Sequence, residues 1–293
     1  ISVNSNQSFK FMPKIGWDYK MLTRTQTATP LNIYFRLVDP LTGAKVEKIQ
    51  TINLRSINDC IRFYGGQDLR FMYAAYVNED HPEIDNILSD ALKTKMVNSF
   101  AGYQGDEREV DLQVAAIWRV LHDRGFKYSS ITANSGVNDD DPTKFSSQSI
   151  RTFDNAIKTN QANCVDGTVV FASILKKIGI MPVIITVPGH CFLGYYKNDS
   201  LNTYSFLETT MLSNETYISN PKKYAVEFKA TFEKILPKNS KLDEKNKAYY
   251  LEFLNAKLSA TDTYRDNKKN NKKVNTFDVA EYRKLIKPIP VYL

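Results

Sequence analysis

Apolar and polar positions change rhythm along this chain, and each change marks an element. LNIYFRLVD alternates, with Leu31, Ile33, Phe35 and Leu37 on one face of a predicted strand. DPLTGAK is a turn, and KVEKIQTINL alternates again with Val46, Ile52 and Leu54 among its apolar positions. DLRFMYAAYV reads as a further strand, so residues 1–77 are expected to form a small β-sandwich-like region, immunoglobulin-like in outline. From residue 82 the period lengthens. Pro82 suits a first helical position, and Ile84, Ile87, Leu88, Ala91 and Leu92 share a face. A second helix carries Val110, Val114, Ile117, Trp118 and Leu121, with Asp106, Glu107 and Glu109 at its start where the helix dipole favours anions. His81 reads as a turn or cap contact, and His122 falls in a last turn.

The stretch from 160 to 210 changes rhythm fastest. Apolar residues at 165, 169, 170, 171, 174, 175 and 178 predict a mostly buried helix that opens at Cys164. Lys176, Lys177 and Gly179 close it. Gly167 in its first turn suggests close approach of another part of the chain. PVIITV is wholly apolar, a buried strand. Pro188-Gly189 signals a turn, and HCFLGYY puts His190, Phe192, Gly194 and Tyr196 on one face, with Cys191, Leu193 and Tyr195 on the other. A polar hairpin then leads to a third predicted strand, Tyr204 to Thr210, which carries Glu208.

That order gives the residues a chemistry. A sulfur at a helix start lies near free N–H groups, which stabilise thiolate. An imidazole beside it takes and returns a proton, and a carboxylate fixes the imidazole tautomer. Cys164, His190 and Glu208 are therefore the candidate nucleophile, base and orienting acid. The Cys164 N–H is one oxyanion donor, and Gln161 and Asn163 are the nearest side chains for a second. Tyr128 and Gln148 are expected along one wall of the cleft. Cys191, on the opposite face of its strand from His190, is expected to pack in the core.

NCVDGTVVFASILKKIGIMPVIITVPGHCFLGYY resembles the core of bacterial transglutaminase-like proteins, in the papain-like superfamily. YQGDEREVDLQVAAIWRVLHDRGFKYSS and FDVAEYRKLIKPIP also resemble family segments. The resemblance implies an α+β fold in which a Cys-bearing helix packs on an antiparallel sheet, with nucleophile, base and third member at Cys164, His190 and Glu208. Glu replaces the commoner Asp. Ala-Asn-Cys-Val stands where the animal enzymes have Gly-Gln-Cys-Trp, which points away from glutamine–lysine cross-linking.

Composition sets limits. In 293 residues, 42% hydrophobic content supports a packed core. No apolar run reaches the length of a membrane span. The net charge of +7 comes with no nucleic-acid-binding motif, so a solvated basic surface is expected, including RDNKKNNKKVN as an exposed loop after a helix in KLDEKNKAYYLEFLNAKLS. FDVAEYRKLIKPIPVYL is expected to begin as a short helix. Three cysteines make no disulfide framework, and no histidine spacing suits a metal. Asp139-Asp140-Asp141 reads as a solvated acidic turn. The chain opens on Ile1, and the expectation is a mature extracytoplasmic protein: periplasmic, surface or secreted. Asn6, Asn198 and Asn214 sit in glycosylation sequons that carry no meaning in a bacterial protein.

The expectation is then a β-rich region over 1–77 and a transglutaminase-like domain over 78–293. The domain is expected to be a cofactor-free cysteine hydrolase, peptidase or amidase, of peptide or protein substrates. Acyl transfer to an amine, and a non-catalytic module that binds peptide or glycan, stay open beside it.

Overall fold

The computed structural model describes residues 10, 16–22, 24–25, 27–130 and 145–290. The chain is mixed α and β, and it divides into two compact units after Ile57 rather than after Val77. In the smaller unit one helical turn, α1 (Tyr19–Leu22), precedes β1 (Thr29–Val38) and β2 (Lys45–Leu54). The strands pair antiparallel throughout, from Thr29 opposite Leu54 to Val38 opposite Lys45. Asp39 Oδ1 accepts from the Leu41 N–H in the turn, and Gly43 supplies a φ of +70°. The expected sandwich needs a second sheet, and among the described residues this unit contains a single hairpin.

Residues 58–77 belong to the larger unit. There β3 (Asp59–Tyr64) turns through Gly65-Gly66 into β4 (Gln67–Asp68). The predicted strand DLRFMYAAYV is instead a 3-10 helix over Arg70–Tyr76. Besides Arg70, its buried residues are Tyr73 to Tyr76, consecutive rather than alternating. Tyr73, Ala75 and Tyr76 all enter the main core, which a half-solvated strand does not do.

The helical predictions place α2 (Pro82–Lys93) and α3 (Glu107–Asp123) well. His81 caps α2 by accepting from the Glu83 N–H at 3.2 Å, and Asp106 caps α3 by accepting from Arg108 and Glu109. Then come β5 (Lys127–Tyr128), β6 (Ser146–Ser149), α4 (Phe153–Thr159) and β7 (Gln161–Ala162). The central run follows as α5 (Cys164–Lys177), β8 (Pro182–Val187), β9 (His190–Tyr196) and β10 (Tyr204–Leu207). The chain finishes with α6 (Pro221–Glu227), α7 (Lys229–Ile235), α8 (Glu244–Lys269), β11 (Asn275–Asp278) and α9 (Val279–Tyr282).

Two of these correct the sequence. α8 runs on to Lys269, so RDNKK is helix rather than loop; no Gly or Pro interrupts it, and the stacking of Tyr264 on Phe206, centroids 4.4 Å apart, anchors that end. The expected short helix of the tail is α9, and Phe277 and Asp278 before it belong to a strand that was not expected: β11 pairs with β8, completing an antiparallel sheet in the order β10-β9-β8-β11. β3 lies between β4 and β6 in a second sheet, and β5 pairs parallel with β7.

The two faces of β9 meet different cores, as the alternation predicts. Cys191, Leu193 and Tyr195 enter the main cluster around Trp118, whose ring packs against Phe171 of α5 and Phe253 of α8. Phe192 joins Val183, Ile185, Val187 and Ala260 on the other face. Among the described residues no helix is long and apolar enough to cross a membrane.

Candidate active site

α5 begins with a reciprocal cap. Asn163 Oδ1 accepts from the Val165 and Asp166 N–H groups, both at 2.9 Å, and Asp166 Oδ2 accepts from the Asn163 N–H at 3.0 Å. Asp166 is fully buried and takes two further bonds from Arg151, at 2.7 Å from its N–H and 2.6 Å from its guanidinium. Burial nevertheless holds its carboxyl above the ordinary range. This frame fixes Cys164 as the first helical residue. The N–H groups of the next two residues are used by the cap, and the Cys164 N–H has no acceptor among the described residues.

His190 arrives from the sheet. Val187 of β8 pairs with His190 of β9 across Pro188-Gly189, with the φ of +72° at Gly189 that the third position of a type II turn requires. Glu208 comes from just beyond β10. The third strand stops at Leu207 instead of reaching Thr210, and Glu208 caps a 3-10 turn over Thr209–Met211. Its Oε1 accepts from the Thr210 N–H at 3.1 Å and the Thr210 hydroxyl at 2.6 Å. Its Oε2 lies 2.6 Å from His190 Nε2, the ring donating to the carboxylate. Nδ1 is then the ring nitrogen left for the sulfur.

The three candidate side chains therefore meet. Burial disfavours charge on His190. Hydrogen bonding with Cys164 and Glu208, with their charges, outweighs it and lifts the His190 pKa to about 10. Burial likewise works against ionised Glu208, but His190 and Thr210 hold its carboxyl below the usual range. Gly167 makes the arrangement possible. A Cβ there would stand 2.6 Å from Thr209 Oγ1, next to Glu208 in the chain. The close approach expected of this glycine is to the turn that carries the acid.

Cys164 and His190 open onto a cleft of about 350 Å³, within the size range of ligand pockets, about 300–1,000 Å³. Tyr128 and Gln148 line it as expected. Of the two side chains expected at the oxyanion, Gln161 does not line the cleft. Asn163 does, but its Oδ1 caps the helix and its Nδ2 donates to the Ser149 carbonyl at 3.2 Å. The Cys164 N–H is thus the donor left free at the sulfur.

Arg62 and Arg70 also line the cleft, and neither was singled out from the sequence. Lone arginines in a predicted β region carry no local signal. Asp166 was legible in principle, as the fourth residue of an Asn-x-x-Asp capping box. Cys191 is buried with its sulfur 3.7 Å from Thr168 Oγ1, and burial pushes the Cys60 thiol up to about 12. His122 packs edge-on to Tyr249. Among the described residues no group of three or more His, Cys, Asp or Glu side chains can hold a metal. Asp139 to Asp141, Asn6 and the opening segment lie outside the described residues.

No family model matches this chain, and neither does any curated protein or solved structure.

Proposed function

We propose that this protein is a cysteine hydrolase of the transglutaminase-like, papain-like kind, cleaving amide or related acyl bonds in peptides or proteins. The observation that carries the reading is the His190 Nε2–Glu208 Oε2 bond of 2.6 Å beside Cys164 at the mouth of an open cleft. The order of helix, strand, His strand and acid supports the family reading. The Glu at 208 and the Ala-Asn-Cys-Val context argue against cross-linking. The open cleft counts against a module that only binds.

The chemistry follows from the geometry. Cys164 Sγ adds to the carbonyl carbon, and the C=O π pair moves to oxygen, which meets the Cys164 N–H. The pair returns, the C–N bond breaks, and the amine leaves with the proton held by His190. Water then adds to the thioester, giving its proton to His190, and the sulfur departs as the acid forms. Glu208 keeps the ring in one orientation throughout.

Iodoacetamide labelling near neutral pH tests the reading, read out by peptide mass mapping, with Cys164→Ala as control. Cys164 is expected to label faster than Cys60 and Cys191 and faster than a cysteine in unfolded chain. Labelling no faster than unfolded cysteine would remove the case for an enzyme.

A further inference from the structure

Among the described residues, one cation in the cleft has no carboxylate partner. Arg62 stands on β3 where the pairing with β6 slips: Ile61 lies opposite Ser147, and Phe63 opposite Ser146. Arg62 is the extra residue of that bulge, a device that re-aims a side chain and is common beside active sites. It lines the cleft together with Cys164 and His190. Its guanidinium lies 5.7 Å from the centre of the Phe63 ring. Its Nε is buried and has no hydrogen-bond partner, and no carboxylate pairs with it among the described residues.

Arg70 shows what a satisfied guanidinium looks like on the same ring. It lies 4.8 Å from the Phe63 centre, and Asp68 grips it with two bonds of 2.9 and 2.7 Å. No Asp or Glu is among the described residues that line the cleft. A half-buried guanidinium with a buried, unpartnered nitrogen is costly unless something completes it. Its planar fork matches a carboxylate.

The geometry points to an acyl substrate that carries a carboxylate near the scissile bond, received by Arg62. The inference rests on Cys164 as nucleophile. The carboxylate has two sources in a peptide, an acidic side chain or the free C-terminus.

Iodoacetate and iodoacetamide separate this inference from the reading beneath it. They are near-isosteres that differ by one carboxylate. The expected result is that the iodoacetate-to-iodoacetamide rate ratio at Cys164 falls about tenfold in Arg62→Gln, the scale of one charge-assisted contact, and recovers in part in Arg62→Lys. An unchanged ratio at a fast-labelling Cys164 would overturn the inference and leave the enzyme standing. Slow labelling with both reagents would overturn both.

A second arm uses only wild-type protein. Acetyl-Ala-Glu-Ala-amide, acetyl-Ala-Gln-Ala-amide and acetyl-Ala-Gln-Ala with a free C-terminus compete with iodoacetamide. Stronger protection by the first identifies an acidic side chain, and by the third a terminal carboxylate. Protection by neither acid beyond the neutral peptide counts against the proposal.

Discussion

Strand β9 carries a polar network at each end, and the two differ in one respect. At the Tyr195 end the charges have partners within the fold. Asp111 of α3 accepts from the Tyr195 hydroxyl at 2.6 Å and from Lys257 at 2.6 Å, with Lys197 at 3.1 Å. Burial opposes the charge on Asp111, yet the two lysines hold its carboxyl below the ordinary range. At the His190 end, valences stay open: among the described residues the Cys164 N–H has no acceptor and the Arg62 Nε has no partner. The first network closes a gap between α3, α8 and the sheet. The second faces a cleft. Satisfied charge binds the fold to itself, and unsatisfied charge is what a substrate can use.

The largest test of this contrast is at the filled end. Asp111→Ala leaves Lys257 without its carboxylate and leaves Lys197 only Glu107, at 3.3 Å, and the expected loss is about 3–5 kcal/mol of unfolding free energy. Urea unfolding measures it, and a loss under 1 kcal/mol would mean that the network does not hold the fold.

Next comes the joint between helix and acid. Gly167→Ala puts a methyl where Thr209 Oγ1 now stands, so Thr209 and the Glu208 turn must shift. The expected loss is about 1–3 kcal/mol, the scale of overpacking. The His190–Glu208 bond should suffer with it, so iodoacetamide labelling of Cys164 is expected to slow as well. Unaltered labelling would show that the turn moves without carrying the acid away.

The remaining perturbation is pH. His190 titrates at about 10 in the folded chain against 6.5 as its ordinary value, so the folded state holds this proton more tightly. The stability it contributes is complete below 6.5 and is lost as pH rises through 10. Urea midpoints at pH 6 and pH 10 should therefore fall further for wild type than for His190→Gln. Equal falls would mean that the ring is not held charged by its partners.

Elements set by neighbours in sequence were the legible ones. α5 spans Cys164–Lys177 with Gly179 at φ +81° just past its end, and β8 and β9 occupy the predicted runs. Those signals are local: apolar period, a capping residue, a Pro-Gly turn. What escaped depends on partners far along the chain. β11 is a strand because β8 offers an edge to Asn275–Asp278. Arg62 enters the cleft because β3 slips against β6, which no periodicity in DCIRFY announces. Glu208 was found, but the end of its strand was not, since the 3-10 turn there is held by the side chain of Glu208 itself.

The salt bridge between Asp166 and Arg151 has a consequence for transplanting this site. Helix ends ordinarily fray, and a residue in the first turn wanders with them. Here the opening turn is bolted to the segment that leads into α4, through a carboxylate sealed from solvent. An engineer who grafted α5 alone onto a new scaffold would carry over the sulfur and leave behind its anchorage. The smallest portable piece therefore reaches back to Arg151.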